Sequence, residues 1–410
     1  MSKPVPATAV WALGITQIVG YGSLYYSFSV LAPAIGDSFG LSAEWIFGAL
    51  TVALLIGGLA APWTGRMLDR FGAARAMSLG SILVTIFLLL MAIAPNGTVF
   101  ALALGGMEIA STLVLYAAAF AVLVQLAGRQ AQASITHLTL IAGFASTLFW
   151  PLTAVFEDQI GWRGSYVIFA GMNLLICLPL HLCLGRMSNR AATAPTDAAT
   201  TRSLAMPPSD NPKSKWLFPL VLVGFALQGL VLAAVTLQML PLLQALDLGT
   251  HVLLISSIFG PAQVLARLVN MVFGGRLRPT ALAIIAAATL PIALLLLAIS
   301  APALAGAMAF ALLFGLGSGL TSIVSGSLPL HLFGQHNYGA RQGLISAARQ
   351  MAAATAPFAM ALAIGQVGVS ATLWTWTGLA LLPVVCFILI LPITRRAAST
   401  MPDPKPAPAE

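Results

Sequence analysis

Three ionisable side chains stand where the chain is otherwise apolar: Glu108, Arg267 and Arg349. A charge inside a hydrocarbon-spanning helix costs roughly 2.5–3.5 kcal/mol on insertion scales, so each is a candidate functional group. Arg267 closes the run Gly260-Pro261-Ala262-Gln263-Val264-Leu265-Ala266-Arg267, eight residues before Gly275. At 1.5 Å per residue, that places it about 12 Å from the end of its segment. Gln263 and Asn270 share its helical face at i−4 and i+3. Arg349 lies eight residues past Arg341, with Gln342 and Ser346 on its face. Its depth from the same side is therefore about equal. A guanidinium is a planar fork matched to carboxylates and other oxyanions, so two at one depth suit an anion. The competing reading is that each arginine snorkels to the surface or binds helix carbonyls.

Glu108 is followed on its face by Thr112 and Tyr116. Apolar surroundings favour a protonated carboxyl, which makes Glu108 the candidate proton-coupling group. The alternative is a structural acid paired with an arginine or a helix N-terminus. Nearer the start, Gln17, Tyr21 and Tyr25 recur at i, i+4 and i+8, around the polar run Tyr21-Gly22-Ser23-Leu24-Tyr25-Tyr26. They are candidates to line a cavity and donate to an anion, against the alternative of packed rings with satisfied hydroxyls. His137 reads as interfacial. Phe333-Gly334, Tyr338-Gly339 and Gly343 read as a turn with close helix approach.

The elements that must position these groups are membrane helices. Of 410 residues, 59% are hydrophobic and only 7% charged, with a mean hydropathy of +0.95. That composition excludes a soluble globular domain. Twelve apolar spans are expected, at about 10–35, 45–64, 76–94, 98–126, 134–155, 164–184, 216–240, 250–273, 280–300, 303–329, 342–365 and 370–393. Residues 186–215, rich in Ala, Thr, Ser, Pro and Asn, read as a cytoplasmic linker without structure. The layout is then a first bundle at 1–185, the linker at 186–215, a second bundle at 216–395 and a disordered tail at 396–410. With the N-terminus inside, 16 of the 19 basic residues fall on inner segments. The positive-inside rule therefore puts both termini in the cytoplasm, in a cell inner membrane. The net charge of +8 is explained by topology, and nucleic acid is not an expected partner. Cys177, Cys183 and Cys386 lie in apolar runs with neither disulfide nor metal spacing. No nucleotide-binding or hydrolase motif occurs, so neither a cofactor nor a catalytic or metal site is expected, and the chain is not read as an enzyme.

Between the second and third spans stands Gly65-Arg66-Met67-Leu68-Asp69-Arg70-Phe71-Gly72, closed by Arg75. The glycines permit a turn or close helix approach, and the Asp can cap a helix or pair with an arginine. This run resembles the G-x-x-x-D-R-x-G signature of the major facilitator superfamily, matched by Gly65, Asp69, Arg70 and Gly72. Ala73 and Ala74 stand where that family has basic residues. Gly274-Gly275-Arg276-Leu277-Arg278 is a weaker second copy without the Asp, and Gly161-Trp162-Arg163 resembles a common turn of the family. The resemblance covers essentially the whole chain. It implies an all-α integral membrane fold of twelve transmembrane helices in two six-helix bundles. It also implies a secondary transporter working by alternating access, with Arg66, Asp69, Arg70 and Arg75 holding the outward-open state through interhelical hydrogen bonds.

The arginine pair resembles the oxalate–formate antiporters and monocarboxylate porters, which carry an Arg in the eighth span and in some members a second cation in the eleventh. Monocarboxylate porters have an Asp four residues before that Arg. Here Gln263 stands in its place and cannot titrate. The expected function is transport of a small organic anion such as a monocarboxylate, coupled to a proton or a counter-substrate, by a monomer in the bilayer. The alternatives are an efflux porter for a drug or a metalloid such as arsenite, and a non-transporting sensor or scaffold.

Overall fold

A computed structural model describes residues 5–193, 214–274 and 277–399. Among these, eleven helices are long and apolar enough to cross a membrane. The fifth of them, Ala131–Ser188, runs for 58 residues. At 1.5 Å per residue that is about 87 Å, far more than one crossing needs. Gly161, at φ 71 and ψ 173, breaks it into spans five and six. The chain thus has the twelve-helix arrangement. Span one is Ala7–Phe39, span two Ala43–Phe71, span three Ala73–Ala92 and span four Gly97–Ala127. In the second half, span seven is Leu217–Leu237, eight Gly249–Phe273, nine Pro279–Ser300, ten Leu304–Phe333, eleven Tyr338–Val367 and twelve Val369–Ile393.

Local signals set the helix ends. Ser42 accepts from the Trp45 amide at 3.3 Å and opens span two, and Asn96 accepts from Val99 at 3.0 Å and opens span four. Gly72, at φ 88, makes the turn between spans two and three. At the other end, the Gly161 turn lets Arg163 donate to the Ala92 and Ala94 carbonyls at 2.7 and 2.9 Å. It thereby closes the C-terminus of span three.

Two expectations about segment limits change. The helix Leu178–Thr193 continues eight residues into the stretch read as linker, because Arg, Met and Ala there are good helix formers. The helix of span twelve likewise runs to Ser399, past the expected start of the tail. Residues 194–213 and 400–410 lie outside the described residues, as do Gly275 and Arg276 of the second motif copy.

The two halves meet chiefly at the end that carries the Gly65–Gly72 loop, called here the motif end. Spans two and eleven form the main seam. The motif-end halves of span four (Tyr116–Ala127) and span five (Ala131–Ala142) add contacts with spans eight, ten and eleven. Glycines make the seam possible. A Cβ on Gly65 would strike the Gly339 carbonyl and the Gly343 Cα, and one on Gly343 would strike the Ala61 carbonyl.

Candidate functional site

At the motif end the working group is Asp69. Span eleven begins at Tyr338 after Asn337, which provides no side-chain cap. Asp69 supplies the cap from the other half: its two oxygens accept from the Gly339 and Ala340 amides at 2.8 and 2.7 Å. A carboxylate on helix N-terminal amides is a charge-assisted contact with the helix dipole in its favour. Gln125 of span four completes the joint within the first half. Its Nε2 donates to the Leu68 carbonyl at 3.0 Å, and its Oε1 accepts from the Ala73 amide at 2.8 Å. Arg66 and Arg70 differ from expectation. Both are exposed and, among the described residues, neither joins a hydrogen bond or ion pair; Arg70 lies over the Phe71 ring at 5.2 Å. Both stay in water, and each oxygen of Asp69 is given instead to a backbone amide of span eleven. Arg75 is exposed.

Deeper in the molecule, spans one and four are both irregular. Span one contains a π-helical turn, Gly22–Tyr26. Gly22 lies against the Phe149 ring with no room for a Cβ. Ser23 donates to the Val19 carbonyl at 2.7 Å and accepts from Asn173 Nδ2 at 3.0 Å. Such single π turns concentrate at functional sites. Here it brings out Tyr25, which is exposed, beside Tyr26 at 5.2 Å between ring centres. Span four is broken at 112–115, between helices Gly97–Ser111 and Tyr116–Ala127. Neither Gly nor Pro lies at the break. Ser111 and Thr112 instead turn their hydroxyls back onto the Glu108 and Ile109 carbonyls, both at 2.7 Å, in competition with the helical ladder.

Gln17 is part of this break. It is fully buried, and its Nε2 donates to the Val114 carbonyl at 2.7 Å. It satisfies a backbone group that the interruption frees, as a helix in lipid requires. Gln17 thus braces span four through Nε2, while its Oε1 has no hydrogen-bond partner among the described residues. Tyr21 packs on Tyr116 at 4.7 Å, and Tyr116 stacks on Phe120 at 5.1 Å.

The arginines come from the second half and differ from each other. Arg267 is buried. Its Nε donates to Ser322 Oγ of span ten at 3.1 Å, and Nη2 makes a longer contact of 3.4 Å with Gln263 Oε1. Arg349 is exposed and, among the described residues, has no hydrogen-bond or ion-pair partner. Its stem lies on Gly229 of span seven, where a Cβ would meet its Cγ. Of the residues placed on its face, Gln342 is buried and donates to the Ser325 carbonyl at 3.1 Å.

The structure brings these groups together around the tyrosines. Tyr116 lies within electrostatic range of both Arg267 and Arg349. Tyr26 lies within the same range of Arg267, and Tyr21 and Tyr25 within that of Arg349. Spacing alone gives Tyr26, Tyr116 and Ser322 no role, although Tyr116 lies on the Glu108 face. Glu108 is buried in span four with its backbone against Gly57 of span two, and only the Ser111 hydroxyl approaches its carboxyl, at 3.4 Å. It makes no ion pair among the described residues, which leaves it without the arginine expected of a structural acid. Cys177 is buried and Cys183 exposed, and no group of three or more His, Cys, Asp or Glu among the described residues could hold a metal ion.

The sequence matches no curated protein. Among solved structures, the chain is similar to the human organic anion transporter MFSD10 (TETRAN), with a TM-score of 0.73 at 16% identity, covering 94% of this chain and all of that one. It is similar to the proton:xylose symporter XylE, with a TM-score of 0.70 at 14% identity over 92% of this chain and 95% of that one. A third similar structure is the transporter FucP in its outward conformation, with a TM-score of 0.65 at 13% identity over 94% of this chain and 98% of that one. At such identities the likeness shows the fold. The family model of the Major Facilitator Superfamily matches residues 13–357, and the chain belongs to that superfamily of membrane transporters.

Proposed function

We propose that this transporter moves a small organic anion, such as a monocarboxylate, by alternating access between its two six-helix halves. The observations that carry the reading are the Arg267 guanidinium, buried in span eight and pressed against span five of the first half, and the Arg349 guanidinium of span eleven, which has no hydrogen-bond or ion-pair partner among the described residues. Two cations of the second half face a tyrosine-rich wall of the first, and one of them has no protein partner among the described residues. An anion there would take charge-assisted bonds from both arginines. It would also bridge the halves, which is the position a substrate needs if its binding is to bias their rocking. In this reading the motif end and both termini face the cytoplasm, the membrane is a cell inner membrane, and the Asp69 cap holds the outward-open state of a monomer. Glu108 carries the coupling proton, since it is buried and free of any ion pair among the described residues.

A flux screen in proteoliposomes tests the reading. Radiolabelled mono- and dicarboxylates are offered beside sugars, cationic drugs and arsenite. Uptake or exchange of a carboxylate is expected. Transport confined to neutral or cationic compounds would overturn it.

A further inference from the structure

We propose that Gly143 is the seat of the Arg267 guanidinium when the motif end is closed, so that this arginine is a strut between the halves as well as a cation beside the tyrosines. Span five is interrupted between helix Ala131–Ala142 and helix Ala145–Met172. At the interruption the Gly143 amide donates to the Thr139 and Leu140 carbonyls at 3.1 and 3.2 Å. The end of the first helix presents the negative pole of its dipole there. Arg267 Nη1 occupies the position that a side chain on Gly143 would take. The guanidinium is held from behind by Ser322, whose hydroxyl donates in turn to the Gly319 carbonyl at 2.7 Å. A cation of spans eight and ten is thus pressed against the broken helix of span five, across the boundary between the halves.

The glycine is required here for space, because its φ of −59 is open to any residue. A methyl group at 143 must either push the guanidinium off its seat or part spans five and eight. Either outcome weakens closure at the motif end while Asp69 and its cap stay intact. The inference does not depend on what the transporter carries, so the test is made without substrate.

Spin labels at Gln130→Cys and His336→Cys, both exposed at the motif end of opposite halves, report closure as a distance distribution. The three native cysteines are replaced by alanine in the full-length chain. Gly143→Ala is expected to add a population at longer distance, as is Arg267→Ala. In the Arg267→Ala background, Gly143→Ala is expected to change nothing further, because its effect passes through the guanidinium. An unchanged distribution in Gly143→Ala would overturn the proposal. So would an equal shift with and without Arg267, which would assign the effect to span-five packing alone. If Gly143→Ala does not fold, Ser322→Ala loosens the guanidinium from behind and should shift the distribution the same way; no shift there would overturn the proposal as well.

Discussion

Spans two and eleven pack along one seam, yet the motif end of that seam and its middle treat charge in opposite ways. At the motif end Asp69 is half-buried and both its oxygens are filled by the amides that open span eleven. In the middle, Arg349 of the same helix lies exposed with no partner among the described residues, and Glu108 lies behind span two with only a weak hydroxyl contact. The first region is a joint: its polar groups satisfy one another and hold the halves together. The second has charges whose bonding capacity is unused, which is the condition a ligand can relieve. Arg267 stands between the two, bonded within its own half and pressed against the other. A charge in a membrane helix is therefore read by what its bonds already do, and only then by its depth.

The comparison sets the order of effects. The largest belongs to Glu108. If it carries the coupling proton, Glu108→Gln abolishes pH-driven accumulation while substrate exchange persists. A variant that still accumulates substrate under a pH difference would place Glu108 with the structural groups. Next come lysine replacements at the arginines. Arg267 uses its fork in fixed directions, so Arg267→Lys should weaken anion binding by roughly tenfold or more. Arg349 has no fixed geometry to lose, so Arg349→Lys should retain affinity within about tenfold. Equal losses at both sites would erase the distinction between them.

Asp69→Asn is expected to fold but to turn over slowly, since an amide can accept from only one of the two backbone donors through its oxygen. Charge-assisted bonds of this type are worth about 1.5–3 kcal/mol, enough to move a two-state balance severalfold or more. Wild-type turnover would reduce the loop to a topology signal. The smallest effect on binding is expected at Gln17. Gln17→Ala leaves the Val114 carbonyl unpaired in the interior, at a cost of about 1–3 kcal/mol in stability, with unchanged affinity in the folded fraction. Weakened affinity with normal thermal stability would place Gln17 at the ligand.

Much of this molecule was legible in its sequence. The spans follow from apolar length, and the Gly65–Gly72 run is legible as a short turn between two of them. What spacing does not report is the partner that a side chain finds on another helix. Nothing in the sequence of span four announces the break that Gln17 braces: the hydroxyls of Ser111 and Thr112 make it, without Gly or Pro. The π turn in span one shifts Tyr25 and Tyr26 for a similar reason, through Ser23 and a distant Asn173. Arg267 and Arg349 looked equivalent because spacing reports depth alone. Their difference comes from Ser322, Gly143 and Gly229, contacts that lie 55, 124 and 120 residues away along the chain.

In the proposed function both arginines hold one anion. The direct measurement is equilibrium binding of the transported carboxylate to Arg267→Gln, Arg349→Gln and the double variant, each checked for folding. Each single change should weaken binding by roughly tenfold to a hundredfold, the loss of one charge-assisted contact. The double variant should lose less than the product of the two, because the anion couples the pair. Normal affinity in both single variants would contradict the central claim.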